Sequence, residues 1–232
     1  MSDCVARQDR AVIMARGDSR RMGMPKGLCR FDEDGLTFVE SLVKLYRRMD
    51  MSLDIVTQTG LIDIHRRVLP EAADLRILGG EPGGDTVGTL RISLENPLPV
   101  PATHLWAHPV DLPLVSRSTV RALLEQSVRL PDTVVRPTHQ GRPGHPVVLP
   151  VSVMKAVLAA LERPDGQAAQ KLAVLTGPVR KLLVAGVALG VMVEPVDLPV
   201  ADSSVTNDFD DEAALRRYRR DTDRPPGSEE KS

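Results

Sequence analysis

Apolar residues fall along this chain in two rhythms. Short unbroken runs bounded by turn residues occur at Ala11–Ala15, LDIVTQ (53–58), LRIL (75–78), THLWAH (103–108), DTVVRPT (132–138) and VVLP (147–150), and they predict strands. KLLVAG (181–186) and ALGVMVEPVDL (188–198) read as strand-like runs too. Between these runs the spacing is helical. Leu42, Leu45, Tyr46 and Met49 recur behind Thr37 and Glu40, which have capping-box spacing, so a helix is predicted from about Thr37 to Arg48. LIDIHRRVL (61–69), Val87–Leu94, STVRALLEQSV (118–128), VSVMKAVLAALE (151–162), AAQKLAVLTG (168–177) and a last stretch through Leu215 and Tyr218 follow the same period. Asp34-Gly35 and Arg163-Pro164-Asp165-Gly166 read as turns. Strands alternating with helices over nearly the whole length predict an α/β fold with a mainly parallel central sheet flanked by helices.

A chain of 232 residues suffices for one sizeable domain or at most two small ones. The expected layout is a flexible lead-in over 1–10, one domain over 11–216, and a charged, disordered tail over 217–232. No internal repeat is evident. A formal net charge of −1 gives no reason to expect a nucleic-acid-binding surface. Cys4 and Cys29 have no metal-ligand spacing and make no disulfide framework, which suits a reducing cytoplasm. The N-terminal MSDCVARQDR lacks the apolar core of a signal peptide, and no apolar run is long enough to span a membrane.

Candidate chemistry begins where the first apolar run stops. Residues Val12–Leu28 read VIMARGDSRRMGMPKGL: a strand delivering a loop with Gly17, Ser19, Arg20, Arg21, Gly23, Pro25 and Lys26. Backbone N–H groups in such a loop can converge on an anion, and arginine and lysine add charge-assisted bonds to phosphate oxygens. A solvated basic turn is the plain alternative. The loop has neither the G-x-x-x-x-G-K-[ST] nor the G-x-G-x-x-G spacing. Further on, GGEPGGDTVG (79–88) is a glycine-rich loop feeding a helix, able to admit a base or an anion or to be plain surface. Asp111 follows the strand ending at His108-Pro109, where open α/β sheets collect ligands; it reads equally as a turn residue or a cap. Gly141-Arg142-Pro143-Gly144-His145-Pro146 is a loop before a strand. Asn207 or Asp208, in the acidic cluster Asn207–Glu212, could simply cap the last helix.

The order of these residues adds more. Ala15-x-Gly17-x-Ser19-x-Arg21-Met22-Gly23-x-Pro25-Lys26 resembles the signature loop of nucleotidyltransferases related to the molybdenum-cofactor cytidylyltransferases and guanylyltransferases. Val110-Asp111-x-Pro113-Leu114 resembles that family's D-x-P segment, and Asp208-x-Asp210 its C-terminal acidic pair. The Gly144-His145-Pro146 turn resembles the cytidylyltransferase branch. Two positions depart from the family pattern: Arg16 stands where it has a small residue, and Asp211 where it has threonine.

The resemblance implies a single Rossmann-like domain that moves a nucleoside monophosphate from an NTP, CTP favoured, to a phosphorylated acceptor, molybdopterin favoured, with release of pyrophosphate. It implies a nucleotide site of Ala15, Arg16, Gly17, Ser19, Arg21, Lys26, Gly79, Gly80 and Thr89, with Arg21 and Lys26 acting on the triphosphate. It implies magnesium (Mg2+) held by Asp111 and Asp210 with Asp208 in support, and acceptor contacts at Gly144 and His145. A molybdoenzyme or its chaperone is the expected recipient of the product. A guanylyl- or sugar-phosphate nucleotidyltransferase of the same fold, and a non-catalytic nucleotide- or pterin-binding chaperone, are the alternatives.

Overall fold

The first apolar run forms β1 (Asp9–Ala15), and its side chains are buried on both faces. Ala11, Ile13 and Ala15 join one core layer, while Val12 and Met14 face the other, as the alternation of a strand requires. The computed structural model describes residues 7–31, 35–69, 73–161, 179–188, 190 and 192–222. Within these, α1 (Phe38–Arg47) follows a reciprocal capping box in which the Thr37 hydroxyl accepts from Glu40 N–H and the Glu40 carboxylate accepts from Thr37 N–H. Then come β2 (Ser52–Gln58), α2 (Ile62–Val68), β3 (Leu75–Gly80), α3 (Thr86–Glu95), β4 (His104–Pro109) and α4 (Arg117–Arg129). The chain continues through β5 (Val135–His139), the two-residue β6 (Arg142–Pro143), β7 (Val147–Pro150), α5 (Val151–Leu161), α6 (Val179–Ala188), β8 (Val196–Pro199) and α7 (Glu212–Thr222).

The sheet runs β3-β2-β1-β4-β7-β5-β6, with β8 on β5. Pairings among β3, β2, β1 and β4 are parallel, β7 is antiparallel to β4 and β5, and β8 is parallel to β5. This is the expected α/β sheet, parallel at its centre and buried on both sides. One layer packs Phe38, Leu42 and Tyr46 of α1 with Val120 and Leu123 of α4 and Leu215 of α7. The opposite layer packs Leu90 of α3 with Met154 and Val157 of α5 and Leu182 and Leu183 of α6.

KLLVAG is a correction to the sequence reading: it lies inside α6, not in a strand. Val179, Leu182, Leu183 and Gly186 recur at helical spacing and are buried, and a Cβ on Gly186 would stand 2.4 Å from Met192 Sδ. Among the described residues of the neighbouring strand-like run, Val196, Asp197 and Leu198 pair into the sheet as part of β8, while Ala188 ends α6. The helix expected at 168–177 and the turn at 163–166 lie outside the described residues. So does most of the Asp34-Gly35 turn, although its flanks pair as an antiparallel bridge between Arg30 and Thr37. β1 begins at Asp9, and α7 runs on to Thr222, past residue 216; most of the expected tail lies beyond.

Candidate active site

Parallel strands carry their following loops to one edge of the sheet, and β1 and β4 are neighbours there. Met14 pairs with Pro109 in the β1–β4 register, and Val110 N–H donates to Met14 O at 3.2 Å. The loop after β1 therefore lies alongside Asp111. It folds through two short helical turns, Arg20–Met22 and Lys26–Leu28. Gly23 sits between them at φ +67°, where a glycine is favoured. The Ser19 hydroxyl joins the loop's two ends, donating to Gly17 O and accepting from Lys26 N–H at 3.0 Å.

Lys26 Nζ lies 2.7 Å from Asp111 and 2.8 Å from Asp210. Arg21 reaches the other oxygen of Asp210 at 3.3 Å from an exposed position. Burial works to lower the Lys26 pKa, but the pull of Asp111 and Asp210 outweighs it and holds the ammonium above its ordinary value. Its hydrogen bond to Asp210 is the main reason that carboxyl is held low. Asp208 is shifted the other way, raised by partial burial and then by the like charges of Asp210 and Asp111. Carboxylate oxygens of Asp111, Asp208 and Asp210 lie within 4.8 Å of one another. An all-oxygen set in which one acid is destabilised by its neighbours fits a hard divalent cation; Lys26 is the protein's own counter-charge to two of these acids.

Lys26, Arg21, Asp111 and Asp210 line a cavity of about 440 Å3 whose wall also includes Ala15, Arg16, Gly17, Ser19 and Thr89, while Asp208 stands outside this lining. Gly79 and Gly80 end β3 behind it: Gly79 faces Ile62 and Thr59, and Gly80 backs Arg16. The cavity wall on that side is made by Gly84 and Thr86. Asp18, Gly84 and Thr86 were not singled out by sequence; the glycine-rich loop was the available signal for the last two.

Gly144 and His145 lie in a second cavity, of about 820 Å3, with Arg136, Arg142 and residues of α6. They also clamp the acidic loop. His145 N–H donates to Val205 O at 2.9 Å, and a Cβ on Gly144 would stand 2.3 Å from that same oxygen. Asp211, the departure from the family's threonine, caps α7 by accepting from Ala214 N–H at 2.7 Å. Neither Asn207 nor Asp208 holds that position.

The sequence reading missed the supports of Asp111. Tyr46 Oη lies 2.7 Å from His108 Nδ1, and His108 Nε2 lies 2.9 Å from Leu112 O. A carbonyl only accepts, so Nε2 carries the ring proton and Nδ1 accepts a hydrogen bond from the tyrosine hydroxyl. Burial pushes the His108 pKa down to about 3 and that of His145 down to about 4. The unfolded chain binds these protons near pH 6.5, so stability is full above that value and is lost as pH falls toward 4. Each histidine then contributes a loss of up to about 1.4 kcal/mol per pH unit. The melting temperature is expected to drop between pH 7 and pH 5.5, as read by circular dichroism; a flat profile would contradict this account.

The sequence matches the family of the MobA-like NTP transferase domain over residues 11–176. No curated protein matches it. Among solved structures, Rv0371c of Mycobacterium tuberculosis in complex with manganese is similar at 22% identity, covering 92% of this chain and 98% of that one, TM-score 0.65. Molybdopterin-guanine dinucleotide biosynthesis protein A of Archaeoglobus fulgidus is similar at 12% identity, covering 92% and 98%, TM-score 0.62. The 4-diphosphocytidyl-2C-methyl-D-erythritol synthase of Anaerococcus prevotii is similar at 11% identity, covering 94% and 97%, TM-score 0.67. At such identities the structures speak for the fold. The family match, spanning most of the chain, carries the assignment: this protein belongs to the MobA-like NTP transferase family and is a nucleotidyltransferase.

Proposed function

We propose that the protein transfers CMP from CTP to molybdopterin, with magnesium as its divalent cation, in the cytoplasm. The observation that carries this reading is the convergence of Lys26, Arg21, Asp111 and Asp210 on one cavity beneath a glycine-containing loop, with the Asp208 carboxylate within 4.8 Å of the other two acids. A phosphate oxygen of the acceptor attacks the α-phosphorus; the bond to the β-phosphate oxygen breaks, and pyrophosphate leaves with that electron pair. An acceptor phosphate is already ionised near neutral pH, so no general base is required of the protein. Arg21 and Lys26 hold the triphosphate and neutralise charge on the departing pyrophosphate, and Ser19 keeps the loop closed around it. Asp111 and Asp210, with Asp208, hold the cation, which supplies charge neutralisation at the phosphate oxygens. Gly144 and His145 bound the cavity in which the acceptor is placed. A manganese complex of a structural neighbour supports divalent-ion use.

The choice of base and acceptor rests on the Gly144-His145-Pro146 turn and on structural neighbours that are diphosphocytidyl-compound synthases or a cytidylyltransferase. One of them is a 2-C-methyl-D-erythritol 4-phosphate cytidylyltransferase, which makes a polyol-phosphate acceptor the second reading. The test is pyrophosphate release from each of the four NTPs with magnesium, offered molybdopterin and a panel of sugar and polyol phosphates. Release with CTP and molybdopterin, abolished by EDTA and restored by magnesium or manganese, is expected. Release only with a polyol phosphate moves the acceptor to the second reading. Nucleotide binding without release from any pair would overturn the enzymatic proposal and leave a nucleotide-binding chaperone.

A further inference from the structure

Arg16 is the position at which the phosphate loop departs from the family pattern, and the fold has built a slot for it. The side chain is only 7% exposed. Nε and Nη2 donate to Glu81 O at 3.1 and 3.0 Å, and Nη1 donates to Thr89 Oγ1 at 3.3 Å. Three glycines of the β3–α3 region make room for it. A Cβ on Gly80 would stand 2.8 Å from Nε, one on Gly84 1.7 Å from Nη2, and one on Gly88 3.4 Å from Nη1. The main chain closes the slot from the other side, with Gly83 N–H donating to Arg16 O at 3.2 Å. The glycines that could have let a base approach the backbone therefore admit a guanidinium of the same chain.

Arg16 nonetheless lines the cavity, beside Gly84, Thr86 and Thr89. It is not a side chain that swings aside cheaply. Moving it would take both guanidinium donors from the Glu81 carbonyl, leave Thr89 Oγ1 with only its bond to Asp85 O, and open an empty slot among glycines. With the phosphates held by the loop and Lys26 in the role proposed above, the base lies against this filled wall, with less depth than a small residue at position 16 would leave.

We propose that Arg16 sets the depth of the base subsite and restricts the protein to pyrimidine nucleoside triphosphates; this rests on the nucleotidyltransferase reading of the cavity. The purine's second ring is what the guanidinium excludes, and the selection is one of volume. The test is calorimetric titration of magnesium complexes of CTP, UTP, GTP and ATP into the wild-type protein, Arg16→Ala and Arg16→Met. Wild type is expected to bind CTP and UTP roughly 10- to 200-fold more tightly than GTP and ATP, the range that a filled pocket can impose. Arg16→Ala is expected to bring that ratio close to one by gaining purine affinity. Arg16→Met, which fills the slot without donors, is expected to keep the pyrimidine preference. Each ratio is internal to one variant, so partial misfolding cancels. Equal wild-type affinity for purines and pyrimidines, an unchanged ratio in Arg16→Ala, or the same relaxation in Arg16→Met would each overturn the volume filter while leaving nucleotide binding intact. Failure of wild type to bind any of the four would remove the nucleotidyltransferase reading and the filter with it.

Discussion

Asp111→Ala is expected to lower nucleotidyl transfer about 10²–10³-fold, the cost of removing one preorganised electrostatic contact from a reacting phosphate site. The fold should survive. The Asp111 side chain is partly exposed, its loop is held by backbone bonds from Val110 to Met14 and from Phe209 to Asp111 O, and Lys26 keeps its bond to Asp210. What is lost is the carboxylate that faces both Lys26 and the other two acids. Manganese affinity should fall in parallel with transfer, because only two of the three oxygen donors remain. Asp208→Ala should cost less, since Asp208 is the exposed member of the set and has neither the Lys26 nor the Arg21 contact. Single-turnover pyrophosphate release and a manganese titration measure the two effects. Transfer by Asp111→Ala within twofold of wild type would remove Asp111 from the site.

Much of this site was legible because its signals are local. The loop from Ala15 to Lys26 carries its residue types in one window, and the Thr37–Glu40 box declares the start of α1 within four positions. KLLVAG was not legible in the same way. A short apolar run serves a strand or a buried helix equally well, and the partners that decide, Val157 and Met192, come from other segments. The role of Arg16 depends on glycines more than sixty positions away, brought to it by the pairing of β2 with β1 and β3. The Tyr46–His108–Leu112 chain needs α1 laid across β4, which no spacing announces. Asp211 shows the limit of motif matching: the residue that breaks the pattern is a sound helix cap, one of the residue types preferred there.

Phe209→Ala should produce the largest loss of stability among single changes near the site, about 3–5 kcal/mol. In a chain of this size that is a fall of roughly 6–20 °C in melting temperature. The sequence has only three phenylalanines, and all of them meet here. Phe209 is 6% exposed, with ring centroids 5.3 Å from Phe38, 6.1 Å from Phe31 and 5.6 Å from Tyr218 of α7. Its backbone N–H donates to Asp111 O at 2.9 Å, so the same residue that anchors the C-terminal segment in the core also fixes that segment against the loop after β4. Asp208 and Asp210 flank it and turn toward Asp111 because the ring between them turns inward. Loss of the ring should therefore loosen both acids, and manganese affinity and transfer should fall at least tenfold at a temperature where the variant is still folded. Phe209→Leu, which keeps most of the buried volume, should recover the greater part of the stability and the metal affinity together. A Phe209→Ala protein that melts early yet binds manganese as wild type does would show that Phe209 stabilises the fold without positioning the acids.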